Sequence, residues 1–295
     1  MSAWKKKTKV FTFIALVGAV VLAGLFLTTP THEGEWQEAQ KLLPDVQIEG
    51  HRYLLRNIRD FSYLPDKSIG RARYLEQEFS PNNLKRVWLG LSHFTDYGFA
   101  HSFLSFEFED GRYLVASVEA RKRPEQTYSP LAGLFRRYHK IIVLGTERDI
   151  IGVRSHVGGQ RVLLYPLELT AAQGRRVFAG MMQDVRTLRE KPSFYNTLFD
   201  NCTTSLLRYD PDHRFWKNIL DYRILLPGFA DDFAVERGWI RDNEGLEELR
   251  RKAVVDAGVD PDDENFSKGI RHTGICRISE ADQGRLVQPC AGPGN

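Results

Sequence analysis

At 295 residues and 42% apolar content, the chain is long enough for one sizeable domain or two. The formal net charge of +3 is small and spread out, which gives no sign of a nucleic-acid partner. No internal repeat, glycine-rich phosphate loop or zinc-ligand spacing is present.

Lys5, Lys6, Lys7 and Lys9 precede Val10 to Leu27, 18 residues without a charge. This pattern predicts a single transmembrane segment with residues 1–9 kept in the cytoplasm and everything after Pro30 outside it. A cleaved signal peptide is the alternative. The segment is long for a signal core, and Thr28-Thr29-Pro30 offers no small-x-small cleavage site. A folded domain is expected over residues 31–275, with a poorly ordered tail over residues 276–295.

Gly34 to Leu43 reads as a short helix, and Val46 to Ile48 and Tyr53 to Ile58 as strands. Arg56-Asn57-Ile58-Arg59-Asp60-Phe61 is polar at alternate positions, as a half-exposed strand should be. Asp66 to Asn83 reads as irregular and Val87 to Ser92 as a buried strand. Phe99 to Phe108 and Arg112 to Glu119 form a predicted hairpin. Its loop, Glu109-Asp110-Gly111, has three residues with glycine last. In that register Phe106 faces Leu114, Leu104 faces Ala116 and Ser102 faces Val118, so the apolar sets share one face. On the other face His101 stands opposite Glu119, with Cβ atoms roughly 5 Å apart. A carboxylate beside a histidine fixes its tautomer and raises its basicity, the orienting role in a nucleophile–base–orienter triad.

Arg121-Lys122-Arg123 is either a solvated strand end or a contact for an anion such as a lipid phosphate. Tyr128 to Tyr138 reads as a helix or lid. Lys140 to Leu144, Ile150 to Arg154 and Arg161 to Leu167 read as strands. Thr170 caps a helix from Ala171 to about Arg189, in which Val177, Met181, Val185 and Leu188 form a core stripe. Pro192 ends it.

The polar run Tyr195-Asn196-Thr197-Leu198-Phe199-Asp200-Asn201-Cys202-Thr203-Thr204 follows. Asp200 or Asn201 serves as N-cap of a short helix from Cys202 to about Arg208. Cys202 then sits in the first turn, where open backbone N–H groups and the helix dipole favour its thiolate. His101 is the candidate base. Cys276 and Cys290 lie in a Gly- and Pro-containing tail and are expected to form a disulfide, which leaves Cys202 free in an oxidising compartment. The alternative is three reduced cysteines with Cys202 buried and inert. Leu246 to Ala253 reads as a helix and Asp256 to Ser267 as an acidic loop.

Phe99-Ala100-His101-Ser102-Phe103-Leu104-Ser105-Phe106-Glu107-Phe108, Ser117-Val118-Glu119-Ala120-Arg121-Lys122, Tyr195-Asn196 and Asn201-Cys202-Thr203-Thr204 together resemble the Lnb N-terminal periplasmic domain family. The likeness extends over roughly Val46 to Arg271, including Arg56 to Phe61 and Tyr222-Arg223-Ile224-Leu225-Leu226-Pro227-Gly228. At position 93, where the family leads one to expect an aromatic, stands His93, a second candidate base.

The resemblance implies a periplasmic thiol acyltransferase that moves an acyl chain to the N-terminal cysteine of bacterial lipoproteins. The order of His before Cys also resembles the permuted papain-like fold of lecithin–retinol acyltransferases. The fold class expected is α+β: an antiparallel sheet carrying the histidine, packed on a helix whose N-terminus carries the cysteine. In this chemistry the Cys202 thiolate attacks a lipid ester and His101 transfers the proton, while Glu119 orients His101. Asn201, Thr203, Tyr195, Asn196 and Arg121 are candidates for oxyanion or substrate contacts. For Asn201 a helix cap competes with that role, and for Tyr195 and Asn196 simple packing does. The partners implied are a membrane lipid as donor and a lipoprotein N-terminus as acceptor, without a cofactor, at the inner membrane. Two rivals stand beside this reading. One is a cell-envelope cysteine peptidase or amidase using the same pair with water. The other is a non-catalytic envelope protein in which His101 and Cys202 lie far apart.

Overall fold

Alternating apolar side chains build one eight-stranded sheet, and two short strands pair as a separate two-stranded sheet. The strands are β1 (Asp45–Glu49), β2 (Arg52–Arg59), β3 (Ser62–Tyr63), β4 (Ile69–Arg71), β5 (Tyr74–Phe79), β6 (Leu84–His93), β7 (Ala100–Phe108), β8 (Tyr113–Arg121), β9 (His139–Gly145) and β10 (Arg161–Pro166). Among the described residues the α-helices are α1 (Pro130–Leu134), α2 (Glu147–Ile150), α3 (Ala171–Glu190), α4 (Cys202–Leu207), α5 (Tyr222–Leu225), α6 (Ala230–Glu236), α7 (Leu246–Ala253) and α8 (Phe266–Gly269). The structure, a computed structural model, describes residues 28–95, 98–209 and 221–271, together with Thr12 and Leu16. The expected membrane segment, apart from those two residues, and the expected Cys276–Cys290 disulfide lie outside the described residues. Among the described residues no helix is long and apolar enough to cross a membrane.

The sheet runs in the order β1-β2-β9-β8-β7-β6-β10, with β5 also paired to β2. Its ladders are antiparallel except β2 with β9, which meet in parallel at Arg59 and Gly145. The fold is thus mixed α+β and dominated by antiparallel pairing, as expected. One face carries Leu104, Phe106 and Phe108 of β7 with Leu89 and Leu91 of β6, and α3 lies on it through Phe178, Met181, Met182 and Val185. Thr170 caps α3 through a reciprocal bond with Gln173, so the predicted start and stripe of this helix are both observed. Truncating the fully buried Phe178 to alanine costs about 3–5 kcal/mol. The opposite face carries Phe103, Val115, Ile141 and Val143, covered by Ile150, Ile151, Phe266 and Ile270.

Four expectations from the sequence change. Gly34 to Leu43 holds only a 3-10 turn at Glu38–Gln40, because Trp36, Gln37 and Gln40 are spent on contacts with the sheet rather than on a helix face. Asp66 to Asn83 contains β4 and β5. The charged side chains that masked β5 are its exposed face, where Glu76 and Glu78 pair with Arg56 and Arg52 across the ladder. The alternation after Arg56 breaks at Asn57, whose φ of 59° sits where the β2–β5 register shifts. Arg59 and Asp60 therefore turn inward, to 4% and 0% exposure. Finally, Ile150 to Arg154 is helical: α2 is followed by a π-helical turn, Val153–Val157. A short apolar run fits a buried helix turn as well as a strand, and here the helix is what delivers Asp149 to Arg59 at 2.8 Å.

Candidate active site

The hairpin forms in the predicted register, with Leu104 against Ala116 and Phe106 against Leu114. Beyond Leu104 the two strands part. β8 continues along β9, and the start of α4 packs against both β7 and β8. This brings Cys202, the first residue of α4, to His101, the second residue of β7.

Asn201 sets the start of α4. Its Oδ1 accepts from the Thr204 backbone N–H at 2.8 Å, and Thr204 Oγ1 accepts from the Asn201 N–H at 2.9 Å. Its Nδ2 donates to the Thr197 carbonyl at 2.6 Å. Asn201 is thus the helix cap, with one Nδ2 hydrogen given to the Thr197 carbonyl. A cap of this kind contributes about 1 kcal/mol. Asp200, the other candidate cap, instead binds the buried Lys140 at 2.6 Å and holds the loop to β9.

Cys202 is 4% exposed. Burial pushes its thiol up, but the neighbouring His101 and hydrogen bonds from His101 and from the hydroxyl and backbone N–H of Ser102 bring it down to about 6. Cys202 is thus poised as a thiolate at neutral pH, although buried thiols without such partners are inert.

His101 does not reach Glu119 directly, as the facing register implied. Its Nε2 lies 2.7 Å from Ser117 Oγ, and Ser117 donates to Glu119 Oε1 at 3.0 Å. A hydroxyl has one proton, and here Glu119 takes it. Ser117 must therefore accept from His101, which puts the proton on Nε2 and leaves the Nδ1 lone pair for the thiol. Glu119 in turn accepts from Gln40 at 2.9 Å and from Arg154 at 3.0 Å. Burial opposes its charge, but Arg154, Arg59 and His101 hold its carboxyl well below the usual carboxylate range. Ser117, Gln40 and Arg154 were not found from the sequence. Ser117 was within reach, since it lies two residues from Glu119 and so on the same strand face.

The remaining candidates divide. Tyr195 is buried and hydrogen-bonded to Tyr128. Burial and the nearby Cys202 raise its pKa well above the ordinary value, so it stays a protonated phenol beside the thiol. Thr203 Oγ1 bonds Ser102 Oγ at 3.0 Å and lies 4.0 Å from the Cys202 sulfur. Asn196 is spent on the turn, its Oδ1 accepting from the Leu198 and Phe199 N–H groups at 2.9 Å each. Arg121 is no surface anion contact. It is 2% exposed, donates to the carbonyls of Gln40 and Lys41, and stacks on Trp36; burial lowers its pKa to about 10. His93, the second candidate base, turns its Nε2 to the Gly228 carbonyl at 3.3 Å, whereas His101 is the histidine that lowers the Cys202 thiol.

A cavity of about 310 Å³ lies between the sheet and α3, α4 and α6. Leu104, Val177, Leu207, Phe233 and Trp239 supply much of its wall, with Glu168, Arg176 and Arg237 also lining it; Ser102 and Thr203 line it, while their sequence neighbours His101 and Cys202 do not. Among the described residues no group of three or more His, Cys, Asp or Glu side chains is placed to hold a metal ion.

The family model of the Lnb N-terminal periplasmic domain matches residues 71–227, more than half of the chain. That stretch carries His101, Ser117, Glu119 and Cys202, and it is narrower than the Val46 to Arg271 span expected from the sequence. No curated protein and no solved structure matches the chain.

Proposed function

The chain belongs to the Lnb N-terminal periplasmic domain family, and from that premise we propose that this periplasmic envelope protein is a cysteine acyltransferase with a permuted papain-like site. His101 takes the Cys202 proton at Nδ1. The thiolate attacks an ester carbonyl of a membrane lipid, and the backbone N–H of Cys202 stabilises the oxyanion; a donor of this kind contributes about 3 kcal/mol. As the intermediate collapses, the C–O bond breaks, His101 returns the proton to the leaving alkoxide, and a Cys202 thioester remains. The α-amine of a lipoprotein then attacks the thioester carbonyl. His101 takes the amine proton and the C–S bond breaks, regenerating the thiolate and leaving an amide. Glu119, through Ser117, holds the imidazole in the tautomer these steps need.

The observation that supports the acyl reading is a largely apolar cavity whose lining includes Ser102 and Thr203, the sequence neighbours of His101 and Cys202. An open polar cleft would instead favour peptide cleavage. Each methylene of an acyl chain buried there contributes about 0.8 kcal/mol. The contact between His101 and Cys202 also supports an enzyme over a non-catalytic envelope protein.

The test is the intact mass of the purified chain after incubation with diacyl phospholipid vesicles. An acyl-sized gain, labile to hydroxylamine and absent in Cys202→Ala and His101→Ala, is expected. A Cys202 that alkylates readily but takes no acyl group would put hydrolysis of peptides in its place.

A further inference from the structure

We propose that α1 and the turn beneath it form a membrane-docking surface, in which Leu131, Phe135 and Phe199 enter the phospholipid surface that residues 10–27 are expected to cross. These three side chains are 66%, 51% and 54% exposed. They belong to one assembly, because α1 sits directly on the turn that leads to Cys202. Thr197 Oγ1 donates to the Pro130 carbonyl at 2.7 Å, and a Cβ on Gly133 would come within 2.2 Å of that same oxygen. Between Arg121 and Tyr138 the chain carries Lys122, Arg123, Arg136 and Arg137, with Glu125 as the single acid. Arg136 and Arg137 are exposed and directly follow Phe135. Apolar tips rimmed by guanidinium groups match an anionic phospholipid surface, with the rings at the acyl boundary and the charges at the phosphates.

The occupant follows from where the N-terminal chain leads. Residues 32–37 are fastened to the segment that leads into α1, to the start of β9 and to the last turn of α3. Trp36 packs edge-on against His139, the Gln37 N–H donates to the Lys122 carbonyl at 3.0 Å, and Gln37 Nε2 donates to the Gln126 carbonyl at 2.8 Å. His32 is bonded to the Leu188 carbonyl at 2.8 Å. Four residues, Thr28 to Thr31, separate Leu27 from His32, so the uncharged stretch ends five Cα steps, or at most about 18 Å, from this anchored point. A bilayer holding residues 10–27 is therefore within reach of the same end of the domain. Tyr128, 6.3 Å from Tyr195 between ring centroids, connects the surface to the thiol. This inference rests on residues 10–27 being a membrane span, and it does not require the acyl transfer proposed above.

The experiment uses the full chain in nanodiscs of phosphatidylethanolamine and phosphatidylglycerol. Cys202, Cys276 and Cys290 are replaced by alanine, and one environment-sensitive fluorophore is placed through Leu131→Cys, Phe135→Cys or Glu109→Cys. Glu109 lies in the hairpin loop at the opposite end of β8, about 30 Å away along the strand. Doxyl-labelled lipid is expected to quench positions 131 and 135 at least threefold more than position 109. Equal quenching at all three overturns the proposal. Protection of 131 and 135 from both doxyl lipid and aqueous iodide also overturns it, because a protein surface would then cover the patch. A chain that does not associate with the nanodisc overturns both the docking surface and the membrane span.

Discussion

Ser117 Oγ stands 2.7 Å from His101 Nε2 and donates its own hydrogen bond to Glu119. The carboxylate thus acts on the imidazole through a hydroxyl, and the direction of that hydroxyl decides which ring nitrogen faces the thiol.

Replacing Ser117 by alanine removes a hydrogen bond in a chain that ends on a charged group, a contribution of about 1.5–3 kcal/mol. Ser117→Ala is expected to lower the rate of Cys202 acylation roughly 10- to 100-fold. The midpoint of the pH–rate profile should move upward, a change that a purely structural role would not produce. Single-turnover acylation across pH reads both. A variant with lower stability but an unmoved midpoint would assign Ser117 to packing.

The two histidines separate cleanly. His101→Ala should lower acyl transfer by about 10²-fold or more, the usual scale for a lost general base. His93→Ala should leave turnover near that of the parent chain, since its ring faces the Gly228 carbonyl. The reverse result in a turnover assay would exchange their roles.

The Cys202 thiol titrates near 6, below its ordinary value, so the thiolate is the major form above that pH and the thiol below it. Alkylation by iodoacetamide is expected to fall about tenfold per pH unit below 6 and to level off above it. In His101→Ala the midpoint should rise. The same downward shift also stabilises the fold. That contribution is complete above the ordinary thiol pKa and is lost as pH falls through about 6.

Chain-length selectivity tests the cavity. Shortening the acyl donor by two carbons removes about 1.6 kcal/mol of burial, or roughly a tenfold loss in kcat/KM. Ala234→Phe places a ring on the cavity wall and should weaken long-chain donors while sparing alkylation of Cys202. Equal use of short and long donors by the parent chain would remove the cavity from the mechanism.

Arg59 and Asp149 form a buried pair, with side chains 5% and 0% exposed at 2.8 Å. Arg59→Met leaves the carboxylate buried against Tyr63 and the Phe61 N–H alone. The expected loss is about 3–5 kcal/mol, read as a shift of the urea midpoint.

Local pattern was enough for the elements that face only one way. The Glu109-Asp110-Gly111 loop and the alternation of Phe106, Leu104, Leu114 and Ala116 fixed the hairpin register, and Thr170 and the Val177–Leu188 stripe fixed α3. Asn201 and Cys202 at a helix start, and His101 on the strand face of Glu119, were likewise legible, because cap preference and the period of two are local rules. Three things required the tertiary structure. Charge on β5 looks like a loop until Arg52 and Arg56 arrive across the ladder. Arg121 looks like a surface cation until Trp36 and the carbonyls of Gln40 and Lys41, some 80 residues earlier, close over it. The relay through Ser117 exists because β7 and β8 part beyond Leu104 and Ala116. Facing positions in sequence meet only while the ladder holds, and where it opens the imidazole finds the diagonal hydroxyl before the carboxylate.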